Sequence, residues 1–185
     1  MQTRKLIILS MLLGVGIVLY IVEAFYVPSL PIPGAKLGLA NTVTLLLLVF
    51  YGWREVLFNV VMRTIIGSIV TGTFLTPAFF FSVGGALASA LVMIIVFAGF
   101  FGKFSLVGVS LLGATSHNMT QMVLACLLLS HWGILLETPF LILIAILTGA
   151  FNGICANYLI RRALVLPEGI LGIDIRDKAF LQAGS

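Results

Sequence analysis

Apolar runs close to the length of a membrane-spanning helix follow one another from Leu6 to Ile160, separated only by short breaks of Pro, Gly and a few charges. A hydrocarbon core takes about 20 helical residues to cross and offers no water to an open backbone, so a chain built this way is confined to a bundle of helices. Composition excludes the soluble alternative. Soluble domains carry about 25% charged residues, whereas 9% of these 185 residues are charged and 61% are hydrophobic. No polar stretch is long enough to make a separate soluble domain. The sequence therefore predicts an all-α integral membrane bundle of six spans over residues 1–165, followed by a short tail, 166–185, to which no role is assigned.

The spans are set by their breaks. The first runs from about Leu6 to Val27, too long for a signal-peptide core and without a small-residue cleavage site, so it is read as a helix. Pro28-Ser-Leu-Pro-Ile-Pro-Gly34 stops it, because proline lacks the amide proton a helix needs. The second covers about Lys36 to Tyr51 and the third about Val56 to Val70. The fourth runs from Phe79 to Phe101, the fifth from Leu106 to Leu129, and the sixth from Phe140 to Ile160. With alternate loops on opposite sides, Arg4, Lys5, Arg54, Lys103, Arg161 and Arg162 share one side, and Lys36 is the strong base on the other. By the positive-inside rule, both termini face the cytoplasm. The ten Lys and Arg stand singly or in pairs between apolar runs, so the formal charge of +4 is a topology signal and not a nucleic-acid patch. Cys126 and Cys155 fall inside apolar segments as small hydrophobic residues.

Polar groups inside such runs are costly and are site candidates by default. Arg63 lies nine residues after Arg54, about 13 Å along a helix and so near mid-membrane. It is either a fixed cation for an anionic group of a ligand or a structural bridge to Glu23 or to helix-end carbonyls. The fifth span carries Ala114-Thr-Ser-His-Asn-Met-Thr-Gln121, with His117 and Gln121 four apart and Ala114, Asn118 and Gln121 on one face. His117, Asn118 and Gln121 are candidate ligand contacts, the alternative being interhelical hydrogen bonding. A lone His with no second ligand at metal spacing argues against a metal site, and no cofactor is expected. Asn152 is placed to reach a pocket from the sixth span, with Asn157 the weaker candidate. Glu23 faces water, pairs with Lys36 or Arg63, or lines a cavity mouth. Lys36 and Asn41 offer a cation and an amide at that mouth, unless Lys36 snorkels to the interface.

Small residues recur at helical spacing in Ser10 and Gly14, Gly85 and Ser89, and Gly149 and Gly153, allowing helices to approach closely within the bundle or against another subunit. Phe79, Phe80 and Phe81 are expected as interface anchors. Motifs for phosphate binding, paired-acid metal binding and Ser/His/Asp catalysis are missing, so no enzyme activity is expected.

Three segments, Pro33-Gly-Ala-Lys-Leu-Gly-Leu-Ala-Asn41, Arg63-Thr-Ile-Ile-Gly-Ser68 with Thr71-Gly-Thr-Phe74, and Ser116-His-Asn-Met-Thr-Gln121, resemble the bacterial family labelled heptaprenyl diphosphate synthase component I, also called Gx transporter proteins. The resemblance covers about residues 5–165. That family is similar to the S components of energy-coupling factor (ECF) transporters. The resemblance implies a six-helix binding subunit that captures a vitamin-like or isoprenoid-related compound at the outer face, gated by the loop Pro28 to Lys36. It further implies uptake with a transmembrane coupling protein and two ATPases. Ser10-Met-Leu-Leu-Gly14 stands where S components carry an Ala-x-x-x-Ala docking motif, keeping small residues but not the alanines. The label itself points to an alternative, a non-catalytic accessory or precursor-supply subunit in heptaprenyl diphosphate and menaquinone metabolism, because magnesium-diphosphate chemistry needs clustered acids and none of the six here are paired. A membrane scaffold is the third option; it predicts Arg63 and His117 in mutual hydrogen bonds with no cavity beside them.

Overall fold

The computed structural model describes residues 2–26, 37–99 and 104–164, and among these every regular element is helical. In chain order they are α1 (Gln2–Tyr26), α2 (Asn41–Phe50), α3 (Trp53–Val70), α4 (Pro77–Gly99), α5 (Leu106–Leu129) and α6 (Thr138–Leu164), with a 3-10 turn at Trp132–Glu137 leading into α6. Local chemistry explains the boundaries. Ser105 caps α5 by accepting from the Gly108 amide at 3.2 Å, and Ser130 ends it in the left-handed conformation. Pro77 opens α4, where its fixed φ suits the first turn. Gly52 at φ 104° separates α2 from α3 and lets the latter start at Trp53, earlier than the expected Val56.

The second span is the main correction. The apolar run predicts a helix over Lys36 to Tyr51, but α2 has only ten residues, about 15 Å and half a hydrocarbon core. Residues 37–40 instead form a turn, with Gly38 at φ 81°. Three segments are long and apolar enough to cross a membrane, namely Thr3–Phe25, Pro77–Gly99 and Trp132–Ala163. The remaining helices are the short α2 and the two interrupted by polar side chains, α3 with Asn59 and Arg63 and α5 with His117, Asn118 and Gln121.

Lys5 Nζ meets Glu55 Oε1 at 2.5 Å, bringing together the starts of α1 and α3. Lys5 also lies 5.7 Å from the centre of the Tyr51 ring, so α2 ends where α1 begins. The start of α1, the end of α2 and the start of α3 therefore lie together, with Lys5 and Arg54 on them; Lys103 lies outside the described residues.

α5 is the centre, packed most extensively against α4 on one side and α6 on the other. Small residues make this possible. A Cβ on Gly149 would sit 2.9 Å from the Leu111 Cα, and one on Gly153 would sit 2.6 Å from the Val107 Cα, so neither position has room for a side chain. α1 is peripheral, with Gly16, Tyr20 and Glu23 its buried residues between 3 and 25. The larger core joins Val43, Leu45 and Leu47 of α2 to Val56 and Val60 of α3, Met93 of α4 and Ile160 of α6. A smaller one joins Phe81, Met122, Ala125 and Leu141. Phe81, expected at the membrane interface, is therefore a core residue, while Phe80 is exposed and Phe79 stacks edge-on against Phe74.

Candidate functional site

Arg63 is 2% exposed and sits among the first turns of α2. Its Nη1 donates to the Ala40 carbonyl and to Thr44 Oγ1 at 3.1 Å, and its Nη2 donates to Asn41 Oδ1 at 3.4 Å. All three acceptors are neutral. The nearby carboxylate of Glu23 acts on Arg63 through its charge, but its Oε1 accepts the Leu39 amide at 2.6 Å. The guanidinium is thus held by dipoles of the segment that enters α2. Both ions of this loosely opposed pair are buried, an arrangement a membrane interior permits only where partners surround them.

Asn152 fixes the same segment from α6. Its Nδ2 donates to the Gly38 carbonyl at 3.0 Å, and its Oδ1 accepts from Thr42 Oγ1 at 2.9 Å. Residues 38–42 are accordingly latched by side chains from α1, α3 and α6, a tertiary constraint that explains why the helix does not begin earlier.

A narrow cavity of about 20 Å3 remains between these groups, bordered by Tyr20, Glu23, Asn41, Arg63, Ser82 and His117; it has room for about one water-sized group. The Nδ2 of Asn41, whose residue is 1% exposed, has no hydrogen-bond partner there. A donor without an acceptor therefore stands beside a buried cation. His117 borders the cavity from α5 and its Nε2 lies 3.0 Å from Gln121 Nε2. The two glycines next to it allow the close packing: a Cβ on Gly85 would come within 3.1 Å of the imidazole, and Gly38, at φ 81°, would place one 2.9 Å from Asn41 Nδ2.

The structure thus brings Arg63, Glu23, Asn41 and His117 to one cavity, with Gln121 and Asn152 behind its walls. Asn118 turns away from it and donates to the Leu141 carbonyl at 3.0 Å. Lys36 lies outside the described residues, as do residues 27–35 of the expected gate. Ser10 is exposed on α1, and Gly14 has no neighbour within 4 Å of the point a Cβ would occupy. Tyr20, Thr44, Thr64 and Ser82 join the site without having been expected. The available signal is weak: Thr64 Oγ1 and Ser82 Oγ donate to carbonyls four residues earlier, as hydroxyls in apolar helices commonly do wherever they face.

No three His, Cys, Asp or Glu side chains gather in a metal-binding group among the described residues. Comparison with curated proteins and with solved structures finds no match. The family model for heptaprenyl diphosphate synthase component I matches residues 12–159, from within α1 to within α6, so it takes in every side chain of the cavity and the chain belongs to that family.

Proposed function

We propose that this chain is a non-catalytic membrane subunit that captures a small compound bearing an anionic group and hands it to a partner. In the setting the family's description names, that partner is the other component of a heptaprenyl diphosphate synthase, and the subunit supplies or holds a precursor in isoprenoid-quinone metabolism. One observation carries the capture role. The unpartnered Asn41 Nδ2 and the guanidinium of Arg63, satisfied only by neutral acceptors, face one cavity, and both are donors suited to carboxylate or phosphate oxygens. Glu23 and His117, on the same cavity, favour a ligand that also brings a hydrogen-bond donor.

The non-catalytic reading rests on the acids. Glu23, Glu55 and Glu137 are the described carboxylates, and they stand on three separate elements with no second acid beside any of them. The scaffold alternative loses weight because Arg63 bonds to α2 rather than to His117, and a cavity borders both. An S-component role, with a coupling protein and two ATPases drawing the compound through the bacterial plasma membrane toward cytoplasmic termini, is the second reading. It is favoured by the open space beside Gly14, which leaves room there for another subunit.

Native mass spectrometry of the detergent-purified protein tests capture. A small molecule retained by the protein and lost from Arg63→Ala and Asn41→Leu is the expected result. An empty wild-type protein that gains no mass from cell-extract metabolites removes the proposal. Copurification then separates the readings, since the second synthase component and an ATPase pair differ in mass.

A further inference from the structure

One turn before Arg63, α3 walls a second and much larger cavity. It is a groove of about 460 Å3 between the first halves of α1 and α3, lined by Leu6, Leu9 and Leu13 on one side and Phe58 and Asn59 on the other, with Arg54 at its mouth. Such a volume lies within the range of about 300–1,000 Å3 that holds small ligands. It is bounded at both ends. The Lys5–Glu55 ion pair ties the helices together beside the mouth, and Gly16 packs against Arg63 and Asn59 at the far end, where its Cβ would lie 3.3 Å from Arg63 Cδ. Between Arg54 and Asn59 the groove runs five residues, about 7.5 Å along the helix, and its volume of about 460 Å3 is on the scale of one alkyl chain of oleyl length and well short of two.

Two polar features distinguish this groove from an ordinary lipid-facing crevice. Asn59 is 3% exposed and its Oδ1 has no hydrogen-bond partner, although it lines the cavity. An orphaned acceptor in an apolar setting costs free energy unless a donor reaches it. Arg54 is exposed, stacks 5.2 Å from the centre of the Trp53 ring and makes no ion pair among the described residues. The one described carboxylate near the mouth, Glu55, is bonded to Lys5, so the entrance is cationic.

We infer that this groove binds a single-chain amphiphile whose head is a phosphate with a neighbouring hydroxyl. The phosphate meets Arg54, the hydroxyl donates to Asn59 Oδ1, and the apolar chain follows Leu6, Leu9, Leu13 and Phe58 before leaving into the bilayer. The inference is independent of the Arg63 cavity, because neither Arg54 nor Phe58 borders it.

The test titrates the purified protein in detergent with 1-oleoyl-lysophosphatidate, using native mass spectrometry for occupancy. Oleyl phosphate, oleyl alcohol and a two-chain phosphatidylglycerol serve as competitors. Lysophosphatidate should bind best, oleyl phosphate roughly tenfold more weakly for want of the hydroxyl, and oleyl alcohol least. Asn59→Leu should erase the difference between the first two, and Arg54→Gln the preference for phosphate over alcohol. Leu6→Trp should block all of them. Leu6 is 62% exposed, so the larger ring obstructs the groove without entering the core. None of Leu6, Arg54 and Asn59 borders the Arg63 cavity, so loss of lysophosphatidate binding in these variants with capture at Arg63 retained separates failure here from failure of the capture role. Equal competition by phosphatidylglycerol, or binding that survives both Leu6→Trp and Arg54→Gln, overturns the assignment.

Discussion

α3 walls two cavities that lie one turn apart and differ in almost every respect. The one beyond Arg63 has the side chains of Arg63, Glu23, Asn41 and His117 in its walls and is about 20 Å3; the one beside Asn59 has leucine and phenylalanine walls and is about 460 Å3. The difference follows from the solvent. Inside a bilayer, polar groups find partners only in one another, so the walls of the polar cavity are held close through Arg63, Glu23 and Asn152. Apolar walls gain nothing by closing, because lipid is as apolar as leucine. A small cavity among polar groups and a larger one between apolar walls are thus what one rule produces in two places. Volume alone is a poor guide to which of them is specific.

The strongest way to break this comparison is to remove the cation that closes the polar site. Arg63→Met leaves the Ala40 carbonyl, Thr44, Asn41 and the Glu23 carboxylate without their buried partner. Losing one side of such a set costs about 3–5 kcal/mol. A large drop in the midpoint of thermal unfolding in detergent is expected, with the groove's ligand binding reduced far less than the stability. If Arg63→Met is as stable as wild type, the guanidinium does not hold the α2 entry and the contrast between the cavities fails.

Next in size is the latch on α6. Asn152→Leu removes the donor to Gly38 and the acceptor from Thr42, two intramembrane hydrogen bonds of about 1 kcal/mol each, so a loss of about 2 kcal/mol is expected. Hydrogen exchange gives the sharper readout. The amides of Leu39 and Thr42 should exchange faster while those of Gly113 to Gln121 in α5 do not, because the latch touches only the entry to α2. Uniformly faster exchange would mean that the cavity closes through the whole bundle.

These outcomes bear on what the sequence can and cannot specify. α5 runs from Leu106 to Leu129, where its apolar run begins and ends, because a serine cap and a left-handed serine are local signals. Arg63 and His117 stand out as polar exceptions within apolar runs, and they share a cavity. The start of α2 is not legible in this way. It depends on Glu23, Asn152 and Arg63 holding residues 38–42 from helices that are distant in sequence. Asn118 and Gln121 read alike on a helical wheel, yet one serves the contact with α6 and the other the cavity wall, since neighbours rather than periodicity decide which buried amide meets which partner. Phe81 is misread for the same reason: a residue near a helix end belongs to the interface unless another element covers it, as α5 and α6 do here.

The smallest effect separates the two ends of the groove. Gly16 divides the cavities, and a Cβ there meets Arg63 Cδ at 3.3 Å and Asn59 Oδ1 at 3.7 Å, contacts that a flexible side chain can relieve by a few tenths of an ångström. Gly16→Ala should therefore change stability by less than about 1 kcal/mol, the entropy gained on losing a glycine offsetting part of the crowding. Lys5→Gln, at the mouth, removes a partly exposed ion pair and should likewise cost less than about 1 kcal/mol. Binding tells the two apart even though stability does not. Gly16→Ala presses on Arg63 of one cavity and on Asn59 of the other and should weaken ligand binding in each, whereas Lys5→Gln alters only the charge at the groove mouth and should leave capture at Arg63 untouched. Equal effects of the two substitutions on both ligands would show that the cavities communicate through the α1–α3 contact as a whole, and Gly16 would then be a hinge between them instead of a partition.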